Sequence, residues 1–443
     1  MRQILLIGAG RSSSNLIQYF LDNAESEQWT LTVGDVSVES AMQKTRKNPF
    51  AKPVQFDIYS ITDCEKFISQ ADIVISLLPA HMHLPVAIEC VKQKKNLVTA
   101  SYVSSEMLEL DKSAKEAGVI LLNECGLDPG IDHMSAMKII DEIKAGGGEI
   151  TSFKSYTGGL VAPESNDNPW GYKFSWNPRN VILAGQGTAR FIEAGNYKYI
   201  PYNRLFTESE TIDVEGHGSY DGYANRDSLS YRHHYGLEKI PTMLRGTLRQ
   251  KGYCKAWNVF VQLGLTDDSY IIEGSSKLTF AQVVEAFLPK SVVGDSLIER
   301  LANFMNCNVK DEAIRLVEWT GILSNELSGL TDSSPAQILQ SLLEKKWKLQ
   351  EVDKDMIVMQ HIFEYTLKGE KVYHTSSLIV KGDNSIYTAM AKTVGLPVAI
   401  AAKFILDKKI QLTGVQIPID KSIYTPVLKE LENYGVCFVE NKK

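Results

Sequence analysis

The most constraining feature of this chain is the apolar run at residues 4–7, which leads directly into Gly8-Ala9-Gly10-Arg11-Ser12-Ser13. A short aliphatic run that breaks at a glycine pair is the strand-to-helix entry of a dinucleotide-binding fold. The first glycine permits the tight turn and the second lets a phosphate approach bare backbone. The third small position, here Ser13, lets helix and strand pack closely. Amides at the start of the following helix would face a pyrophosphate, so Gly8, Gly10, Arg11, Ser12 and Ser13 are the first candidate cofactor residues.

The rest of residues 1–125 repeats the unit that such a loop demands. Strand candidates at 31–33, 73–77, 97–99 and 119–122 are apolar on both faces, as a sheet covered by helices requires. Between them Leu16, Ile17, Phe20 and Leu21, and then Val86, Cys90 and Val91, follow a helical spacing. Right-handed crossovers assemble such a series into a parallel α/β layer, a Rossmann domain. Asp35 ends the second strand, where a carboxylate bonds a ribose 2′-hydroxyl and repels a 2′-phosphate. NAD is therefore favoured, with NADP left open through Arg46 or Lys47. Asp57, closing the third strand, is placed to receive an adenine amino group, and Leu77, Leu78 and Pro79 would line the path toward nicotinamide.

At 443 residues the chain is long enough for two or three compact units. Residues 1–125 form the first, rejoined by about 386–443. Short strand candidates at 151–155, 256–263, 357–363 and 377–380, with arginine-bearing loops, suggest an α/β substrate domain over 126–270 and 349–385. Helical periodicity dominates 271–348, with Ser333, Ser334 and Pro335 as a start signal. The helix expected at 387–405 carries an interruption at 395–397.

Charge narrows the partners. Lys plus Arg number 47 against 53 Asp plus Glu, a net charge of −6 without a basic block, so neither a nucleic-acid backbone nor an anionic membrane is called for. The six cysteines are too far apart for zinc pairs and too sparse for a disulfide scaffold, and the eight histidines, His81 and His83 included, show no ligand spacing. No metal is expected. With no cleavable leader pattern and no run of 18 apolar residues, the cytoplasm is the expected location.

Longer strings are more specific. Residues 61–140, which include ADIVISLLPAHMHLP, VTASYVS and NECGLDPGIDHMS, together with PESNDNPWGYKFSWNPR, YANRDSLSY, RGTLR, DMIVMQHIFEY, YTAMAKTVGLP and TGVQIP, resemble the glutamate-forming saccharopine dehydrogenase family nearly end to end. The resemblance implies a Rossmann domain, a mixed α/β domain for substrate and homodimer formation, and a helical insertion. It also implies oxidation of the secondary amine of saccharopine to an imine, whose hydrolysis gives glutamate and 2-aminoadipate 6-semialdehyde, or the reverse condensation.

Carried over by motif, Ser101 and Asp128 are substrate contacts, Arg226 takes a substrate carboxylate, Thr247 is a further contact and Trp176 lies near nicotinamide. Tyr102 joins the substrate set, and Asp128 is the catalytic candidate. Two departures stand out. Gly34-Asp35-Val36 replaces the Cys-Arg-Thr-like string of fungal members, which again favours NAD, and Thr157 stands where they carry cysteine.

A substrate with three carboxylates needs fixed cations, and Arg179, Arg204, Arg226, Arg232, Arg245 and Arg249 are available. Arg226 could instead bridge to Asp227, Asp128 could cap the helix that follows it, and His133 could be a base or a core residue. Proton transfer through Asp128, Tyr102, a histidine or water stays open. A carboxynorspermidine-type dehydrogenase and a non-catalytic nucleotide-binding regulator are the alternative functions.

Overall fold

The first run forms β1 (Arg2–Ile7), with Ile4 to Ile7 fully buried, in a computed structural model that describes residues 1–443. With β2 (Trp29–Asp35), β3 (Ala51–Gln55), β4 (Ile73–Ser76), β5 (Asn96–Thr99), β6 (Ile120–Leu122) and the late strand Gly414–Gln416 it makes a seven-stranded parallel sheet. The order is Gly414–Gln416, β6, β5, β4, β1, β2, β3. Strand succession reverses between β1 and β4, the switch point at whose carboxyl edge open α/β sheets bind ligands. One face of the sheet offers Leu5, Ile7, Val74, Leu97 and Leu121 to a core with Phe56, Phe67, Val86 and Cys90. β1, β4, β5 and β6 are aliphatic and buried because helices cover both faces.

Two compact units emerge: Met1–Ile150 with Tyr365–Val372 and Leu378–Asn441, and Thr151–Glu364 with Tyr373–Ser377 and Lys442–Lys443. In the first, the helix Ala389–Leu406 runs through Gly395 and Pro397 without the expected interruption. Gly395 is required by packing, since a Cβ there would lie 3.0 Å from the Ser12 carbonyl oxygen and 3.1 Å from Leu16. This helix has the length and hydropathy of a membrane span, although the sequence showed no unbroken apolar run. Val398, Ala399, Ile400, Ala401 and Ala402 are wholly buried, so it is a core helix by its packing.

The second unit is built on a mixed sheet. β7 (Glu149–Val161), β10 (Glu210–Val214), β11 (Gly218–Ala224), β12 (Thr242–Gln250), β13 (Asp355–Leu367) and β14 (Glu370–Lys381) run in the order β10-β11-β12-β7-β13-β14. A hairpin of β8 (Thr188–Glu193) and β9 (Asn196–Pro201) pairs through β8 with β12. β12 is parallel to β7 and antiparallel to β11.

The strand expected at 256–263 is instead part of the helix Tyr253–Leu263. Its aromatic side chains pack by ring contact, with Trp170 stacked on Phe260 at 5.8 Å and edge-on to Trp257 at 6.4 Å and Trp347 at 5.2 Å. Four helices follow: Phe280–Phe287, Leu297–Phe304, Glu312–Trp319 and Pro335–Lys346. The expected start signal acts at the last, where Ser334 Oγ accepts from Gln337 N and Gln337 Oε1 accepts from Ser334 N.

Candidate active site

The segments that follow β1 to β6 at the carboxyl edge of the parallel sheet carry the residues the sequence singles out in the first unit. Gly8, at φ +105°, follows β1, and a Cβ there would sit 2.9 Å from the Leu77 carbonyl oxygen. The loop of Leu77, Leu78 and Pro79 therefore closes directly over the first glycine. At Gly10 a Cβ would meet nothing within 4 Å, which leaves the backbone open to a phosphate. Ser13 is buried and donates to the Gly10 carbonyl at 2.8 Å, while Arg11 is exposed and Ser12 half-buried. Asp57 lies exposed after β3, with Oδ1 accepting from Tyr59 N. These features fit a dinucleotide.

Asp35 departs from the role expected of it. Its Oδ2 accepts the Ala9 amide at 2.7 Å and its Oδ1 the Ser37 amide at 3.0 Å, so both oxygens serve the fold of the loop. Lys44, on the helix Val38–Thr45, reaches back to donate to the Gly10 carbonyl and to Ser13 and Ser14 Oγ at 3.0 and 2.9 Å. Burial lowers its pKa to about 8, with the nearby Asp35 carboxylate opposing that shift. Arg46 lies over the Tyr387 ring, 5.4 Å from its centre.

Beyond β5 and β6 stand the chemical candidates. Ser101 is half-buried, and its Oγ lies 2.7 Å from His83 Nε2. The exposed Tyr102 donates its hydroxyl to Asp128 Oδ1 at 3.3 Å. The next helix, Ile131–Ala145, starts behind Gly130, whose amide donates to Asp132 Oδ1 at 2.6 Å.

His133 is wholly buried, with Nε2 2.9 Å from Glu124 Oε2 and Nδ1 3.6 Å from Asp132 Oδ2. Glu124 Oε1 also accepts the Val103 amide at 3.0 Å, and Glu124 holds φ +55°. A buried carboxylate in the left-handed region, tied to a buried histidine, braces the loop that carries Asp128. His133 is thus held in the core between Glu124 and Asp132.

In the second unit, Arg226 follows β11 and is exposed. The expected alternative partner is taken: Asp227 Oδ2 pairs with Arg190 Nη2 at 2.5 Å, and its Oδ1 accepts from Leu229 N. Thr247 on β12 pairs in register with Tyr223 on β11 and Thr157 on β7, and its hydroxyl donates to Asn225 Oδ1 at 2.6 Å. Asn225, Thr247 and the buried Thr157, whose hydroxyl has no partner, thus lie on or just past neighbouring strands, with Arg226 next along the chain.

The other arginines are engaged. Arg179 pairs with Asp268, Arg204 with Glu208, and Arg232 with the Glu238 carbonyl. Arg245 lies 4.3 Å from the Tyr231 ring centre, and the buried Arg249 lies among the rings of Tyr172, Tyr223 and Tyr253. Trp176 is half-buried just before the helix Pro178–Ile182. A cavity of about 630 Å³ lined by Tyr202, Val261, Thr266 and Asp267 holds none of these site residues.

Comparison with known proteins bears on the whole chain. Residues 4–122 match the family described as the saccharopine dehydrogenase NADP binding domain, and residues 126–436 the saccharopine dehydrogenase C-terminal domain. The chain is 34% identical to "Saccharopine dehydrogenase [NADP(+), L-glutamate-forming]" of Pyricularia oryzae, over 98% of each chain. It is 36% identical to the mitochondrial alpha-aminoadipic semialdehyde synthase of Mus musculus, over 99% of this chain and 47% of that one. Apo saccharopine dehydrogenase (L-Glu forming) from Saccharomyces cerevisiae superposes with a TM-score of 0.90 at 32% identity, covering 100% of both chains.

These comparisons correct the preference for NAD drawn from Asp35. The matching domain is an NADP-binding one, and the Pyricularia relative is named for NADP(+). The physical reason lies in the loop. Asp35 turns its oxygens onto the Ala9 and Ser37 amides of the loop rather than outward. The sequence reading missed Lys44 and His83. Neither belongs to a local motif; the one signal was His83 seven residues past the end of β4.

Proposed function

The chain belongs to the saccharopine dehydrogenase family, and from that membership we propose that it oxidises the secondary amine of L-saccharopine with NADP, giving L-glutamate and 2-aminoadipate 6-semialdehyde, and runs the reverse condensation. The observation that carries this reading is the end-to-end likeness to the glutamate-forming fungal enzyme. An exposed Arg226 whose neighbouring acid is already paired supports it, because a substrate rich in carboxylates needs such a cation.

Gly8, Gly10, Arg11, Ser12 and Ser13 hold the dinucleotide, Asp57 faces its adenine end, and Leu77, Leu78 and Pro79 line its nicotinamide end. Bound NADP supplies the hydride acceptor or donor. Arg226 grips one substrate carboxylate, and Thr247 and the Ser101 hydroxyl are further contacts. Asp128, oriented by the Tyr102 hydroxyl, holds the substrate's cationic amine and takes its proton so that a neutral amine can be oxidised. Much of the rate then comes from holding the reacting carbon in place.

The proposal extends to a cytoplasmic homodimer formed through the second unit. Tyr197 and Tyr199, exposed on β9, are apolar surface suited to such an interface, and the six free cysteines suit a reducing compartment. Light scattering at micromolar concentration should give twice the 49.4 kDa chain mass; a monomeric mass contradicts the dimer. The catalytic assignment is tested by adding saccharopine and NADP+ to purified protein and following the absorbance of reduced nicotinamide. A rise is expected; its absence, with NAD+ also inactive, rejects the assignment.

A further inference from the structure

Ser76 closes β4, His83 opens the helix His83–Lys92, Thr99 closes β5 and Ser101 follows two residues later. The pairing of β4 with β5 places Ser76 opposite Thr99, and the His83 ring fills the space over that pair. Ser76 Oγ lies 2.8 Å from His83 Nδ1, and His83 Nε2 lies 2.7 Å from Ser101 Oγ. Ser76, His83 and Thr99 are almost wholly buried, whereas Ser101 is half-buried and reaches the surface that carries Tyr102 and Asp128. A histidine so placed is costly to bury unless both nitrogens are used, and here both are.

The tautomer follows from the network. Burial, with His81 adding to it, lowers the His83 pKa to about 4, so the ring is neutral and has one donor and one acceptor. The buried Ser76 hydroxyl must give its hydrogen to something, and Nδ1 is the acceptor within reach. A proton on Nδ1 would strand that hydroxyl hydrogen, an unmet donor in a dry site. Nδ1 therefore accepts, the ring proton sits on Nε2, and Nε2 donates to Ser101 Oγ. Thr99 Oγ1, 3.3 and 3.5 Å from the two nitrogens and accepting the Ser101 amide at 3.4 Å, holds the ring edge and the Ser101 backbone. With its oxygen already accepting, Ser101 presents its own hydrogen outward. It becomes a directed donor that matches an acceptor such as a carboxylate oxygen.

We propose that His83, backed by Ser76, is a positioning residue that fixes the Ser101 hydroxyl as a hydrogen-bond donor to a carboxylate oxygen of the substrate. The inference rests on the assignment of Ser101 as a substrate contact made above. His83 touches neither substrate nor cofactor; it acts by choosing which way the Ser101 hydrogen points.

The test uses the full chain with His83→Asn, His83→Gln, Ser76→Ala, Ser101→Ala and the double variant H83N/S101A. Saccharopine KM and kcat, the NADPH dissociation constant by fluorescence, and Tm are measured on each. Gln reaches the position of Nε2 and keeps a donor for Ser101, so its KM should stay within about threefold of the parent. Asn reaches only the position of Nδ1, so its KM should rise about tenfold, the loss of one charge-assisted bond, with kcat and NADPH binding little changed. H83N/S101A should be no worse than S101A, because His83 acts through Ser101. Ser76→Ala frees the ring to take either tautomer and should raise KM less than H83N; this milder variant carries the test if the His83 variants do not fold.

An H83N or S76A protein that folds and binds saccharopine as the parent does overturns the relay, as do equal KM increases in H83N and H83Q. If S101A itself leaves KM unchanged, the Ser101 assignment and the relay fall together. A parent without saccharopine turnover rejects the functional assignment instead.

Discussion

Replacing Arg226 by Ala separates a substrate clamp from a fold-supporting charge. The side chain is exposed, Asp227 is occupied by Arg190, and the Arg226 main chain is anchored independently through its carbonyl, which accepts the Arg190 amide at 2.9 Å. No fold contact is lost with the guanidinium, so stability should change by less than about 0.5 kcal/mol. If Arg226 holds a carboxylate as a two-pronged charge-assisted pair, its removal should cost about 1.5 to 3 kcal/mol of binding. That corresponds to a dissociation constant about ten- to a hundredfold larger. Arg226→Lys keeps the charge without the parallel second bond and should fall between. Calorimetric titration of saccharopine into the NADPH complex, with Tm and NADPH affinity measured alongside, reads all three quantities. Undiminished saccharopine affinity in R226A refutes the clamp, and a lowered Tm would return Arg226 to a structural role.

Two further perturbations probe the cofactor end. Lys44→Met should weaken NADPH and NADH binding alike by about tenfold, since its ammonium ties together Gly10, Ser13 and Ser14 of the loop; fluorescence titration with both reduced cofactors checks this, and undiminished affinity for both would contradict it. Lys44 in the folded state titrates near 8, below an ordinary lysine, so the folded protein binds fewer protons than the unfolded chain between about pH 8 and 10.5. Its contribution to stability therefore rises with pH across that window, while NADPH affinity falls as pH passes 8, and K44M should flatten both trends. Gly8→Ala forces a side chain into φ +105° with its Cβ 2.9 Å from the Leu77 carbonyl oxygen, and should lower stability by about 1 to 3 kcal/mol in denaturant titration while weakening both cofactors.

The first unit was legible because β1, β4, β5 and β6 are apolar on both faces, as a helix-covered sheet requires, and because Gly8 and Gly10 end the first of them. The helix Tyr253–Leu263 was misread as a strand because the β-branched and aromatic run Val259-Phe260-Val261 outweighed the helical spacing of Lys255, Asn258 and Gln262. Asp35 misled for a different reason: its position at the end of β2 was right, but position does not tell where two carboxylate oxygens turn. Lys44 and His83 act on residues 34 and 18 positions away, across helix-to-loop and strand-to-strand neighbours that exist only once the sheet is assembled. Arg226 drew attention through a resembling string, and only the structure gives its neighbour Asp227 to Arg190.

The account is tested most directly by identifying the products of saccharopine oxidation. The secondary amine joins two carbon skeletons, and oxidation on one side yields L-glutamate and 2-aminoadipate 6-semialdehyde, on the other lysine and 2-oxoglutarate. Purified protein incubated with saccharopine and NADP+ should form L-glutamate in equal amount to NADPH, by mass spectrometry and absorbance, and more efficiently than with NAD+. Lysine and 2-oxoglutarate as products, or no product with either cofactor, would contradict it.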